Sequence, residues 1–279
     1  MPFPFKRILL ATQGTEFDAG AERVAIDLAA GSSGRINVVM PLVSNPVYQS
    51  VGAAQEEQAE AEAAEKLQQL RRAAQANGVE FAGRVRRGEE PFREIVDAAR
   101  ELPADLLVLR RRGKRSYLAN LLLGEMVHKV ISHAPCDALM VPRATQLWSR
   151  GILLATDGSP HSDRATAVAC ALAIFHGLPL TVLSVAEGGQ DAAKARVEAA
   201  LETARAAGAE ATGRVVTNGK AHEAILAAAR DAGADLVVIG RRGLGRFEHA
   251  LLGSTSEQVA SRAGCPVLII HEAGAPIPA

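Results

Sequence analysis

The chain has 279 residues, with 31 basic and 31 acidic side chains, and 48% of it is hydrophobic. That length suits about two domains with a sizeable core, and the composition excludes a disordered chain. The zero net charge argues against a dedicated nucleic-acid binder, and 4% aromatic residues leave little for stacking on single-stranded bases. The three cysteines form no CxxC pair, which argues against a disulfide scaffold or a common zinc site and fits a reducing cytosol. No apolar run approaches the ~18 residues of a membrane span. The start, Met-Pro-Phe-Pro-Phe-Lys-Arg, lacks the order of a secretory signal. The expectation is a cytoplasmic protein.

In chain order, the first strand signal is Ile8-Leu9-Leu10. A long amphipathic helix is predicted over 53–77, rich in Ala, Glu, Gln and Arg. Ala104-Asp105-Leu106-Leu107-Val108-Leu109 then leads into a basic cluster, Arg110, Arg111, Arg112, Lys114 and Arg115. A short polar stretch, 142–150, carries a proline at its start and marks the boundary between two halves. Beyond it, 151–155 is an apolar run and reads as a buried strand. A helix is predicted over 162–176, with Pro160 ahead of it, a usual place for proline at a helix start. Strands at Leu180–Val185, Ala211–Val216, 236–239 and Val267–Ile270 alternate with helices over 192–207, 221–232 and 254–263. Gly208, Gly233 and Gly264 are read as the helix stops.

The two halves repeat each other. Ile8-Leu9-Leu10-Ala11-Thr12 recurs as Ile152-Leu153-Leu154-Ala155-Thr156, and Ala104 to Leu109 recurs as Ala234-Asp235-Leu236-Val237-Val238-Ile239. Arg111-Arg112-Gly113 answers Arg241-Arg242-Gly243, and Ala134-Pro135-Cys136 answers Ala263-Gly264-Cys265. The matches keep one order, so the chain reads as two related domains, 1–146 and 147–279. Their short linker leaves them packed together. Strands without polar alternation, regularly interleaved with helices, predict an α/β fold. Each domain would be an open five-stranded parallel sheet with helices on both faces. Ligands of such sheets bind beyond the carboxyl ends of the strands, where strand order reverses.

That rule directs attention to two loops of the second half. Thr156-Asp157-Gly158-Ser159 follows its first strand; Gly240-Arg241-Arg242-Gly243, leading to Gly253-Ser254-Thr255-Ser256, follows its fourth. The second loop opens a helix, whose free N–H groups and positive dipole end attract phosphate. Glycines there give a backbone room to approach a ligand. Asp157 offers acceptors to an adenine amino group or a ribose hydroxyl. Ordinary turn chemistry and N-capping explain the same residues equally well.

The spacing Gly240-x2-Gly243-x9-Gly253-Ser254 resembles the ATP-binding signature of the universal stress protein family. The strand ending Ala-Thr-Asp-Gly-Ser, the run Gly-Ala-Asp-Leu-Val-Val-Ile-Gly-Arg-Arg-Gly and the ending Cys-Pro-Val-Leu-Ile-Ile agree with it. The resemblance covers nearly the whole chain as two copies, and no GxxxxGK[ST] P-loop is present. It implies a flavodoxin-like, Rossmann-like domain with strand order 3-2-1-4-5. It also implies pairing through the fifth strands, which two tandem domains can satisfy within one chain, and further homodimerisation of whole chains. The family's adenine contacts would fall on Asp157, Val185 and Ile239, with Ala155 and Thr156 lining the same end. Its ribose and phosphate contacts would fall on Gly240, Gly243, Gly253, Ser254 and Thr255. Mg2+ would accompany the ATP.

The first half departs from this pattern. Gln13 stands at the position of Asp157, Arg110 at Gly240 and Glu125 at Ser254, and the spacer from Gly113 to Gly124 is one residue longer. Glu125 sets a negative charge where phosphate would sit. The first domain is therefore expected to lack ATP and to act as a structural pseudo-dimer partner. Its basic cluster, with Arg84, Arg86 and Arg87, reads either as a site for another anion or acidic partner, or as a solvated loop compensated by Glu89, Glu90 and Glu125. His161, His222 and His249 lie near the second cleft but share no metal-ligand spacing, and there is no GxSxG elbow. No residue presents itself as a catalytic base. The expectation is a stress-response regulatory protein binding ATP or a related adenine nucleotide in its second domain. The alternatives are a slow ATPase using the same site and a nucleotide-free protein-interaction scaffold.

Overall fold

The computed structural model describes residues 2–32, 34–43, 53–111, 124–186, 189–243 and 252–271. The first half runs β1 (Ile8–Ala11), a 3-10 turn (Glu16–Asp18), α1 (Ala19–Gly31), β2 (Arg35–Val43), α2 (Ala53–Ala76), β3 (Glu80–Gly88), α3 (Pro91–Glu101), β4 (Leu106–Arg110), α4 (Glu125–His133) and β5 (Asp137–Val141). The second repeats it as β6 (Ile152–Ala155), α5 (Pro160–His176), β7 (Leu180–Val185), α6 (Gln190–Ala207), β8 (Ala211–Val216), α7 (Ala221–Asp231), β9 (Leu236–Gly240), α8 (Ser254–Arg262) and β10 (Val267–Ile270).

Helix α5 begins two residues before the expected start because Pro160 is itself helical. Ser159 is the N-cap, its Oγ accepting the Ser162 N–H at 3.3 Å. Gly208 ends α6 with φ +83° in the left-handed region, as anticipated. Gly264 does not act this way. Ala263 turns extended (φ −59°, ψ 138°) and leads straight towards β10, so no left-handed residue is needed.

The ten strands form one sheet in the order β3-β2-β1-β4-β5-β10-β9-β6-β7-β8. Each half thus has the order 3-2-1-4-5, and its neighbours pair parallel. The halves join through an antiparallel β5–β10 pair, with Leu139 opposite Leu268. Alternating strand residues feed two cores, one on each face. Ile8, Leu10, Val38, Leu154, Val182 and Leu268 pack on one side; Leu9, Val39, Leu107, Leu153, Val237 and Ile269 pack on the other. Both cores run through both halves, so the fold buries a continuous apolar layer rather than two separate ones. No helix among the described residues is long and apolar enough to cross a membrane.

The antiparallel junction has a topological consequence. The carboxyl ends of the two parallel sets point to opposite edges of the sheet. The start of β5, and the end of α4 that feeds it, therefore lie at the edge where β9 and β10 end. By the same symmetry the end of α8 lies beside the end of β4.

The segment joining the halves is tied down at its end. The N–H groups of Ser149, Arg150 and Gly151 donate to the Asp235 carboxylate at 2.8, 3.1 and 3.1 Å. Asp105 does the same for Lys6 and Arg7 at 3.1 and 2.9 Å. Trp148 is buried edge-on against His176, whose ring also meets Phe3 from the start of the chain. Burial alone would raise the Asp235 pKa, but the N–H groups of Ser149, Gly151 and Arg150, with the Arg150 guanidinium, outweigh it and hold the pKa below the ordinary carboxylate value. A depressed folded-state pKa stabilises the fold above the unfolded-state value, and that contribution is lost as pH falls through the folded-state value. Asp235→Asn is thus expected to cost about 1–3 kcal/mol at neutral pH, from charge-assisted hydrogen bonds. The gap from wild type should close as pH falls below the ordinary carboxylate range, which urea unfolding at stepped pH would read.

Candidate functional site

At the carboxyl edge of the second half, the loops after β6 and β9 face each other. Ala155, Thr156 and Ile239 are buried at the strand ends, and Val185 is half-buried at the end of β7. Thr156 Oγ1 donates to Ser162 Oγ at 3.1 Å and accepts the Gly158 N–H at 3.3 Å. Asp157 Oδ1 accepts the Ser159 N–H at 3.1 Å, an Asx turn that leads into the Ser159 cap. The turn-and-cap chemistry read from the sequence is therefore real for these residues. It fixes where the Asp157 carboxylate stands, between the two loops.

The glycines of the second loop make that approach possible. Neither Gly240 nor Gly243 has a positive φ, so the requirement is for space. A Cβ on Gly240 would lie 2.9 Å from the His161 Cβ and 3.1 Å from the Arg242 carbonyl oxygen. A Cβ on Gly243 would collide with the Asp157 carboxylate. The room expected for a ligand at these two positions is thus taken by His161 of α5 and the Arg242 carbonyl beside Gly240, and by the Asp157 carboxylate beside Gly243. Gly253 donates its N–H to the Arg241 carbonyl at 2.9 Å and caps α8. Ser256 Oγ donates to the Gly240 carbonyl at 2.7 Å, closing the loop onto the helix. Ser254 is exposed and Thr255 half-buried in the first turn of α8. The structure thus brings Ala155, Thr156, Asp157, Val185, Ile239, Gly240, Gly243, Gly253, Ser254 and Thr255 to one edge of the sheet.

The matching cleft of the first half is filled. Arg110, at the end of β4, turns into it and donates to Gln13 Oε1 at 2.6 Å and Thr15 Oγ1 at 2.7 Å. The same guanidinium lies 3.2 Å from Asp18, a carboxylate only 1% exposed. Lys66 of α2 reaches over Gly14 and pairs with Glu22 at 2.8 Å; Glu22 also accepts from Thr12 Oγ1 at 2.8 Å. The second half has Ser162 and Thr166 at the positions of Asp18 and Glu22. Two buried carboxylates and the Arg110 guanidinium therefore stand where the other half has small hydroxyls and a glycine, while Arg196 reaches over Gly158 much as Lys66 reaches over Gly14. The cavity left beside Thr12, Gln13, Asp18, Pro41 and Arg110 is about 20 Å³, room for about one water.

The basic cluster separates into internal pairs. Arg84 and Arg86 share Glu101 at 3.6 and 2.7 Å, Arg86 also binds Glu94 at 2.9 Å, and Arg87 pairs with Glu60. The expected counter-charges are different residues: Glu125 pairs with Lys129 at 2.9 Å and Glu90 with Arg93. Arg112, Gly113, Lys114 and Arg115 lie outside the described residues, as does His249.

Sequence reasoning missed the part played by Arg111 and Arg241. Arg111 sends its guanidinium across the junction to the Ala263 carbonyl and, at 3.5 Å, to that of Ser261, at the end of α8. Arg241 makes the reciprocal reach to the carbonyls of Ser132 and Ala134, at 3.4 and 3.5 Å, at the end of α4. Cations are stabilised at helix C-termini, where carbonyls have no helical partner. Burial lowers the Arg111 pKa from its very high ordinary value. Their recurrence at one position of both copies was the available signal. A further junction pair, Arg164 with the fully buried Asp137 at 2.5 Å, has no counterpart in the other copy, where Gly20 and Pro266 occupy those positions. His271 donates its N–H to the same Asp137 oxygen at 2.7 Å. Burial, with the charges of Arg241, His161, Arg164 and Arg242, drives the His271 pKa down to about 4.

His161 is buried at the start of α5, and His222 lies 3.3 Å from an Arg262 nitrogen. Burial pushes the Cys136 thiol far up and those of Cys170 and Cys265 to about 11, so none is a ready thiolate. Among the described residues no three His, Cys, Asp or Glu gather as a metal site.

Comparison with known proteins gives the family of the chain. Residues 4–142 and 149–271 each match the family model described as the universal stress protein family. A universal stress protein of Thermus aquaticus is 43% identical over 134 residues, which is 43% of this chain and 97% of its own. The universal stress protein Slr1230 of Synechocystis is 28% identical over 177 residues, 62% of this chain and 61% of its own length. The crystal structure of a universal stress protein from Archaeoglobus fulgidus shares the fold with a TM-score of 0.74, at 24% identity over 95% of both chains. Matched in both of its repeats, the chain belongs to the universal stress protein family, in a tandem two-domain form.

Proposed function

We propose that this protein is a stress-response regulator that binds one adenine nucleotide, ATP with Mg2+, in its second domain (147–279). The first domain (1–146) serves as the structural half of an internal pseudo-dimer. The observation that carries this reading is the contrast between the two clefts. Arg110 fills one with a guanidinium paired to Asp18, whereas the other carries a glycine, Gly240, at that position and keeps the glycine-and-serine spacing.

The residues of the second cleft suit the ligand chemically. Asp157 offers acceptors at the nucleoside end, with Val185 and Ile239 as apolar walls. Ser254 and Thr255 would supply N–H and hydroxyl donors at the start of α8 for phosphate oxygens, with Gly240, Gly243 and Gly253 shaping the backbone that approaches them. Mg2+ would neutralise part of the phosphate charge. The reading is of a binding protein rather than a dedicated enzyme, because phosphoryl transfer needs a positioned nucleophile or base as well as a phosphate cradle. A nucleotide acts as a switch only where two conformations bind it differently.

Calorimetric titration of ATP with Mg2+ into nucleotide-stripped protein should give one site per chain. Two sites would mean that the Arg110–Asp18 pair yields to ligand. No binding by a folded chain would overturn the reading.

A further inference from the structure

We propose that Arg241 is a positioning residue through which the first domain holds the phosphate loop of the second, so that nucleotide occupancy and domain pairing are coupled. This rests on the nucleotide reading above and adds the regulation of that site.

Arg241 belongs to the loop between Gly240 and Gly243. Its backbone is fixed twice: its N–H donates to the Ile270 carbonyl at 2.8 Å, and its carbonyl accepts the Gly253 N–H at 2.9 Å. The second bond joins the two parts of the glycine motif. Its side chain leaves the second domain altogether and ends on Ser132 and Ala134 of the first. The residue is 7% exposed. One buried residue thus links the end of β10, the start of α8 and the final turn of α4. The antiparallel β5–β10 pair brings that turn to this edge of the sheet. A shift of α4 along the junction would pull on the loop that leads to the proposed phosphate site at the start of α8, and a ligand that holds that site would hold α4. Binding linkage requires the effect to be equal in both directions.

Arg111 supplies an internal control. It makes the mirror-image contact to the end of α8 and buries the same kind of cation. Its loop, however, leads from the filled cleft, where Arg110 already occupies the space. Loss of Arg111 should loosen the junction without touching the second domain's Gly240–Gly243 loop.

The test uses the full chain with three variants, Arg241→Ala, Arg241→Met and Arg111→Ala, each checked for folding by circular dichroism. Arg241→Met keeps the apolar stem and removes the donors, so it remains informative if the alanine variant folds poorly. ATP with Mg2+ is titrated by calorimetry, and hydrogen exchange is followed in residues 126–134 with and without nucleotide. We expect both Arg241 variants to bind about tenfold more weakly, within the usual range of coupling between sites, and Arg111→Ala to bind within about twofold of wild type. Nucleotide should slow exchange at the end of α4 in wild type and Arg111→Ala, and not in the Arg241 variants.

Unchanged affinity and unchanged α4 protection in the Arg241 variants would overturn the coupling while leaving nucleotide binding intact. An equal loss in Arg111→Ala would also overturn it, by showing general loosening of the junction. A wild-type chain that binds no nucleotide would remove the site reading itself, and the coupling with it.

Discussion

Ser254→Glu should abolish nucleotide binding while leaving the fold intact. The substitution copies Glu125 of the first half into the second. Ser254 is exposed at the first position of α8, so no packing is lost. An acidic residue in the first turn of a helix is favourable for the helix itself, and the variant should unfold at the wild-type denaturant concentration. Its effect on an anionic ligand is opposite. Glu125 pairs with Lys129 one turn on, through a hydrogen bond and charge that hold the carboxyl below its ordinary pKa. The second half has Gln258 at that position, so a glutamate at 254 would keep its full charge towards the phosphates. Two like charges about 4 Å apart repel by about 4 kcal/mol at an effective dielectric of about 20. Allowing for screening by solvent, a loss of at least about 100-fold is expected by calorimetry. Binding within about threefold of wild type would show that phosphate does not approach the start of α8.

Arg110→Ala should be the most destabilising single change near either cleft, at about 3 kcal/mol. It strands Asp18, whose carboxylate is 1% exposed, without its cation. Removing one partner of a buried pair typically costs about 3–5 kcal/mol because the remaining charge is unpaid for by solvent. The lower figure is taken because Thr15 still supplies its N–H and Oγ to Asp18, at 3.0 and 2.6 Å. Asp18→Ser in the same chain, which copies Ser162, should restore most of the loss. Urea unfolding of the two single variants and the double variant gives the coupling directly. Additive effects would mean that Arg110 and Asp18 do not stabilise each other.

Much of this architecture was legible along the chain. Strands such as Leu180–Val185 and Val267–Ile270 carry apolar runs with no polar alternation, and they form where that pattern puts them. The long helix α2 follows its composition to within a residue of the expected end. Local patterns succeed here because each element is defined by residues a few positions apart. Gly264 marks the end of α8 to within a residue of the expectation but takes no left-handed conformation there, because the strand that follows α8 draws the chain extended.

The candidate site was legible in composition and illegible in partnership. Setting the two copies in register singled out Gln13, Arg110 and Glu125 as departures. The register also held Asp18 and Glu22 against Ser162 and Thr166, a difference that acquires meaning only when Arg110 and Lys66 are seen to meet those carboxylates. Arg110 and Arg111 looked alike as members of one basic run. They end in different places, one on Asp18, 92 residues away, the other on Ala263, 152 residues away.

The sequence by itself determined that the chain is a repeat, that each copy alternates strands and helices, and that only one copy keeps the glycine-and-serine spacing. These properties are written in neighbouring residues and in the comparison of one copy with the other. The tertiary structure decided where the charges go. Successive residues at a strand end point in different directions, which sends Arg110 into the cleft and Arg111 across the junction. The antiparallel pairing of β5 with β10 brings the end of α4 beside the loop of Arg241. No local periodicity encodes that pairing, because it is a contact between the last strands of two separate domains.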